Sequence, residues 1–393
     1  MKILHTSDWH IGKVLKGQSR LDEQVLVLRD IVDVAAAQQP DLVIVAGDLF
    51  DTAAPNAETE KVVIRALTAL RRHAAAVVVI AGNHDNGARL DALRPWADGA
   101  GITVRGLLGK PADHLITGTT EGGEAWRLAA LPFISQRYAV RASEMFELSA
   151  ADATATYADH VSRLLAAVAE PFGDGSETIN LAAAHLTVVG GKLGGGERDA
   201  HTIEAYAVPS TIFPVETHFV ALGHLHRTQR VLGPCPVHYC GSPLAVDFGE
   251  EENTPSVSIV DVSATKAAKV TAMPIASAVP LRTVRGSLDE LAALTVDETA
   301  WLRVYVREQP RAGLKEDVQA LLPRALEVRV DPSVLPELTL DATRAPRTGR
   351  SPEELFGEYL TTKGVADEAV RGLFQRLHED VLSGDPVSGG AGR

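Results

Sequence analysis

Five short segments of this sequence carry residue types that bind metal ions. They read Ser7-Asp8-Trp9-His10, Gly47-Asp48-Leu49-Phe50-Asp51, Gly82-Asn83-His84-Asp85, His185 alone, and Gly223-His224-Leu225-His226. Asp8 and His10, like His224 and His226, are two residues apart, and on extended chain such a pair points to one side. The donors are nitrogen and oxygen with no thiolate, which suits Mn²⁺, Fe or Zn better than a soft-metal or Fe–S site. Any one of these motifs is weak, since a lone D-x-H or H-x-H is more often surface chemistry or a satisfied core histidine. Their order, each at the end of an apolar run, points to one centre. Asp85 reads as a turn residue, and the remaining histidines, including His5, His73, His160 and His218, have no motif behind them.

Something must bring segments more than 200 residues apart to one place. Apolar runs at 2–5, 42–46, 77–81, 179–184 and 219–222 each lead into one of the segments and read as strands. Helical patterns occupy 21–39, 58–73 and 157–170. Continuous Val/Ile/Leu/Ala strands alternating with helices imply a sheet buried on both faces, and such sheets gather ligands at the carboxyl ends of their strands. Residues 237–240 and 256–262 read as sequential strands without helices.

The texture changes near residue 276. A strand at 281–285 precedes the capping box Ser287-Leu288-Asp289-Glu290, and residues 301–307 alternate, with Leu302, Val304 and Val306 on one face. A helix at 314–322 and a strand at 326–330 complete a small α+β unit. Residues 341–349 read as a linker. Ser351-Pro352-Glu353-Glu354 starts a helix through 360, and 365–382 reads as a second helix. The expected division is 1–275, 276–345, 346–383 and a disordered 384–393.

The 393 residues carry a formal net charge of −13, without the basic footprint usual in nucleic-acid binders, although metal-binding carboxylates count as free charge in that sum. No apolar run reaches the roughly 20 residues needed to span a bilayer, and Met1 leads straight into a strand-like run. A cytoplasmic protein with no membrane partner is expected. Cys235 and Cys240 are then a reduced pair.

The ordered set D-x-H, G-D-x-x-D, G-N-H-D, H, G-H-x-H resembles the five-motif signature of the calcineurin-like metallophosphoesterases over about residues 1–230. The resemblance implies an α/β sandwich of two sheets flanked by helices, with a small α+β capping domain and C-terminal helices. It implies two Mn²⁺ per chain, with Mg²⁺, Fe or Zn as alternatives. Asp8, His10, Asp48 and His226 would hold one ion, and Asp48, Asn83, His185 and His224 the other, Asp48 bridging. His84 matches the family's catalytic histidine, which stabilises the transition state and protonates the leaving oxygen, and Asp51 matches the aspartate that orients it.

Thr52 follows Asp51 where phosphatases of this superfamily carry D-R-G, so an arginine clamp for a phosphomonoester is missing. Thr-Ser-Asp-Trp-His-Ile-Gly at 6–12, Gly190-Gly191-Lys192, Gly241-Ser242-Pro243 and Phe248-Gly249-Glu250 are similar to the SbcD nucleases. This resemblance implies exonuclease and endonuclease action on DNA in repair and recombination, an SbcC-type ABC/SMC-like ATPase partner, and a homodimer within a heterotetramer. Lys13, Lys16, Arg20, Arg89, Lys192, Arg198 and Arg227 follow the motifs and could contact a phosphate backbone. Glycines 190, 191, 194, 195 and 196 could make a flexible loop. In the tail, Val370, Leu373, Phe374 and Leu377 form an apolar stripe, joined by Leu355, Phe356 and Tyr359, as a docking face for the ATPase. The competing reading is a phosphodiesterase or phosphatase of the same fold acting on a small-molecule phosphoester.

Overall fold

A computed structural model describes residues 1–135, 157–175, 177–197, 206–334, 351–363 and 368–383. Two six-stranded sheets form its centre. The first runs, in spatial order, Lys266–Pro274, Ser256–Ser263, Lys2–Thr6, Leu42–Ala46, Ala76–Ile80 and Ile102–Arg105. The second runs Gln229–Val231, Val237–Tyr239, Phe219–Gly223, Ile179–His185, Ala125–Leu131 and Leu115–Thr119. The motif-bearing strands pair in parallel within each sheet, Lys2–Thr6 with Leu42–Ala46 and then Ala76–Ile80, and Ile179–His185 with Phe219–Gly223. Their carboxyl ends therefore line up at one edge.

The period of two along each strand explains the layering. Ile3, Leu42, Ile44, Val78 and Ile80 point to the second sheet and meet Leu128, Leu181, Ala183, Phe219 and Ala221 in an apolar layer between the sheets. Leu4, Val43, Val45, Val77 and Val79 point the other way, against Val27, Leu28 and Ile31 of the helix Leu21–Gln38 and Val63, Leu67 and Leu70 of the helix Ala57–His73. The outer face of the second sheet packs on Val161, Leu164, Leu165 and Val168 of the helix Tyr157–Val168. Strands buried on both faces cannot alternate polar and apolar residues, so they read as unbroken apolar runs. This is the two-sheet sandwich flanked by helices that the motifs led us to expect. Ser256–Ser263 and Lys266–Pro274 complete the first sheet as an antiparallel hairpin.

Beyond residue 280 a three-stranded parallel sheet, Leu281–Gly286, Trp301–Val306 and Ala325–Val330, has a core of its own. Leu302, Val304 and Val306 face the helices Leu288–Ala292 and Leu314–Leu321 in it. Polar ties bind this sheet to the sandwich. The guanidinium of Arg20 donates to the carbonyls of Ala245 and Val279 at 3.0 and 3.2 Å and pairs with Glu23. Glu23 in turn accepts from the Trp301 indole at 2.6 Å, and Lys16 meets Glu327 at 3.3 Å. The helices Pro352–Thr362 and Glu368–Ser383 form a hairpin in which Phe356 stacks on Phe374 with ring centroids 4.0 Å apart. No helix among the described residues is long and apolar enough to cross a membrane.

Candidate metal centre

The loops that follow four strands deliver Asp8, His10, Asp48, Asn83, His84, His224 and His226, and the end of the strand Ile179–His185 delivers His185, to one buried cluster, each residue at most 8% exposed. The backbone is strained to do so. Asp8, His10, Asp48 and His224 all adopt positive φ, at 54°, 46°, 53° and 97°, a region that side-chain-bearing residues seldom occupy. Gly82 allows the third loop to lie directly on the second, because a Cβ there would overlap the Asp48 carboxylate and main-chain nitrogen.

Three groups of donor atoms fall within metal-binding distance of one another: Asp8, His10 and His226; His10, Asp48 and His84; and Asp48, His185 and His224. Nε2 of His10 lies 3.1 Å from Nε2 of His226. Asn83 Oδ1 lies 2.9 Å from both His185 Nε2 and His224 Nδ1. Asp48 Oδ2 is between them, 3.7 Å from His10 Nε2 and 3.4 Å from His185 Nε2. Two imidazole nitrogens aimed at each other, flanked by buried carboxylates, form a donor set that fits divalent cations. The chain's own charges favour an ionised Asp48. Burial pushes the Asp48 carboxyl up, but His185, His84 and His10 together hold it well below the usual carboxylate range. Burial pulls His226 down, yet Glu250, Asp8 and Glu197 lift it to about 10, so an ion bound here would displace the proton on Nε2 and leave the one on Nδ1 facing Glu250.

Two assignments change. The bond from His84 to residue 51 runs from Nδ1 to the main-chain carbonyl, at 2.9 Å. The Asp51 carboxylate turns instead toward Lys13 Nζ at 3.2 Å and His10 Nδ1 at 3.6 Å. A motif places a residue in a loop but does not say which way its side chain turns. Arg20, expected on a DNA-facing rim, is fully buried among carbonyls at the junction with the three-stranded sheet and has no surface to offer. Of the other candidate cations, Lys13 lies beside the cluster through Asp51, Lys16 reaches Glu327, and Arg89 pairs with Glu60 on the surface. Lys192 and Arg227 are exposed, and Arg198 lies outside the described residues.

Several residues that the motifs contain were not assigned to the centre from the sequence. Asp85 is buried and accepts from the main-chain N–H groups of Leu49, Phe50 and Gly82 at 3.2, 3.0 and 2.9 Å, pinning the second loop to the third. Ser7 donates to Asp8 at 2.5 Å, and the ring of His226 is held by Glu250 at 2.7 Å. Cys235 and Cys240 are free and buried. In the tail, Phe356 and Phe374 are spent on each other, Leu355 and Val370 are half-buried, and Tyr359, Leu373 and Leu377 face outward.

A family model described as calcineurin-like phosphoesterase matches residues 1–133. A second, described as the type 5 capsule protein repressor C-terminal domain, SbcD_C, matches residues 277–363. The SbcD subunit of the nuclease SbcCD from Bacillus subtilis is 32% identical over 98% of this chain and 100% of its own length. The chain belongs to the SbcD family. The SbcD subunit from Escherichia coli K12 is 28% identical over 97% of this chain and 98% of its own. The Rhodobacter capsulatus relative is 32% identical over 74% and 76%. As an SbcD-family metallophosphoesterase, the chain is a metal-dependent phosphodiester hydrolase.

Proposed function

We propose that this chain hydrolyses the phosphodiester backbone of DNA at a two-metal centre, as exonuclease and endonuclease, with Mn²⁺ as its working ion and an SbcC-type ATPase as its partner. The observation that carries this reading is the convergence of Asp8, His10, Asp48, Asn83, His185, His224 and His226 in one buried cluster, in a chain that matches nuclease subunits along nearly its whole length. Asp8, His10 and His226 would hold one ion and Asn83, His185 and His224 the other, with Asp48 shared. The pair, when bound, would polarise the phosphate and acidify a water for attack.

The chain's own residues do the rest. His84 keeps Nδ1 on the Asp51 carbonyl, so the proton it gives to the leaving sugar oxygen would come from Nε2, which would also stabilise developing charge. Its main-chain N–H donates to Asp48 Oδ1 at 2.8 Å, so the acid and the shared carboxylate are fixed to one another. Residues 276–345 would cap the DNA over the centre, and residues 346–383 would dock on the ATPase. A second copy of the chain would complete the heterotetramer. The test is digestion of end-labelled linear and hairpin DNA with added Mn²⁺, with and without the ATPase. Products that require the added ion are expected. Rapid turnover of a nucleotide ester with intact DNA would move the reading to a small-molecule phosphoester.

A further inference from the structure

Phe248-Gly249-Glu250 and the run Gly194-Gly195-Gly196-Glu197 have no part in the reaction just described, yet both end on His226. Glu250 Oε1 meets the His226 Nδ1 at 2.7 Å, with both side chains at most 2% exposed. Its Oε2 accepts from the Val246 N–H at 3.1 Å. Glu197 holds the backbone of the same residue. Its Oε1 accepts from the N–H groups of His226 and Gly194 at 2.9 and 2.5 Å, and its Oε2 from Gly195 at 2.7 Å.

We infer that Glu250, supported by Glu197, is a positioning residue for the metal centre, holding the His226 ring with its hydrogen on Nδ1 and its Nε2 lone pair toward Asp8 and His10. The inference rests on the metal-binding reading above. An ionised carboxylate only accepts hydrogen bonds, so the nitrogen facing it must carry the hydrogen. The other nitrogen is then available to donate to an ion, and it is the one 3.1 Å from His10 Nε2 and 3.9 Å from Asp8 Oδ1. A carboxylate behind the ring also makes that nitrogen a stronger donor. His185 shows the same arrangement with a main-chain acceptor, its Nδ1 lying 2.8 Å from the Ala46 carbonyl. A buried charge is costly unless it is paired, and Glu250 has a position built around it. Asp247 caps its short turn through the Gly249 N–H at 2.9 Å. Gly196 leaves the space it fills, since a Cβ there would overlap Glu250 Oε1.

Glutamine at 250 cannot do both jobs. Its oxygen can serve Val246 or His226, and its NH2 then faces the other N–H or forces His226 into the opposite tautomer. Glu250→Gln, Gly196→Ala and the wild-type chain, each stripped of metal, would be titrated with Mn²⁺ while free ion is counted by electron paramagnetic resonance. The wild type should bind two equivalents. Each variant should bind one as before and the other roughly 10–100-fold more weakly. Ring ¹H–¹⁵N spectra of the Zn²⁺-loaded proteins should show the His226 Nδ1–H shifted downfield and slow to exchange in the wild type, as a hydrogen held by a carboxylate is, and not in the variants, which a purely structural role would leave unchanged. Gly196→Ala keeps both glutamates and decides the matter if Glu250→Gln does not fold. Two unweakened equivalents in a folded variant overturn the positioning role and leave the metal centre standing. A wild type that binds no Mn²⁺ overturns the centre and this inference with it.

Discussion

Asp48 has imidazoles on both sides, and that makes it the most informative single residue to remove. Its Oδ2 lies within 3.7 Å of His10 and 3.4 Å of His185, so its loss touches both proposed ions. Asp48→Ala should bring bound metal toward none by elemental analysis, whereas His10→Ala should leave the site of Asn83, His185 and His224 partly filled. Two full equivalents on Asp48→Ala would remove the bridge from the account. His84 gives the complementary case. His84→Ala should keep both ions and still bind DNA but cut roughly 10²–10⁴-fold more slowly in single-turnover assays, the usual worth of a general acid. Near-normal cutting by the metal-loaded variant would reduce His84 to a structural part. Residue types at this scale were legible in the sequence, because each motif announces its donors. Side-chain direction was not, as Asp51 and Arg20 show. Both lie where the motifs put them, but one turns to His10 and Lys13 and the other is swallowed by the junction with the three-stranded sheet.

Elements were legible where burial dictated their composition. The motif-bearing strands are apolar on both faces, and their runs stand out from the helices that separate them. The edge strands were not anticipated, nor was Ala125–Leu131, an interior strand that is buried but leads into no motif. Lys266–Pro274 is largely exposed and carries Lys, Ala and Thr without an apolar period, and Leu115–Thr119 carries a glycine, Gly118, next to its end. Such strands exist because a neighbour supplies hydrogen bonds, which no local pattern records. The tail helices divide one predicted stripe in two. Phe374 stacks on Phe356 and holds the hairpin together, while Leu373 and Leu377 remain 48% and 39% exposed. Leu373→Asp with Leu377→Asp should therefore keep helix content by circular dichroism and lose co-purification with an SbcC-type ATPase. Deleting residues 350–393 should have the same effect on the partner and spare Mn²⁺-dependent cutting of short DNA. Aggregation or loss of basal activity in the deletion would place these helices in the chain's own core.

At the scale of the whole molecule, acid should weaken the sandwich from within. His5 is buried between the sheets near His238, with ring centroids 6.3 Å apart. Burial and the neighbouring histidine lower His5 to about 3, and burial with Arg230 lowers His238 to about 4. Both are neutral when folded and gain a proton near pH 6.5 when unfolded, so this contribution is intact above about pH 6.5 and is lost as pH falls toward 4. The loss is on the order of 2 kcal/mol per histidine by pH 5. In chelator, to remove the metal contribution, His238→Phe should show a smaller drop in melting temperature between pH 7 and pH 5 than the wild type. Equal drops would mean that this pair does not carry the acid limb.

If one metal-loaded cluster cuts a phosphodiester chain, activity must return in step with bound metal. The chain is stripped with chelator, Mn²⁺ is added back in measured equivalents, and cleavage of end-labelled DNA is followed alongside bound metal. No cutting is expected without metal, and a rise that completes as the second equivalent binds. Undiminished cutting by the stripped chain, or two bound equivalents with no phosphodiester cleaved, would mean that the cluster is not the cutting centre.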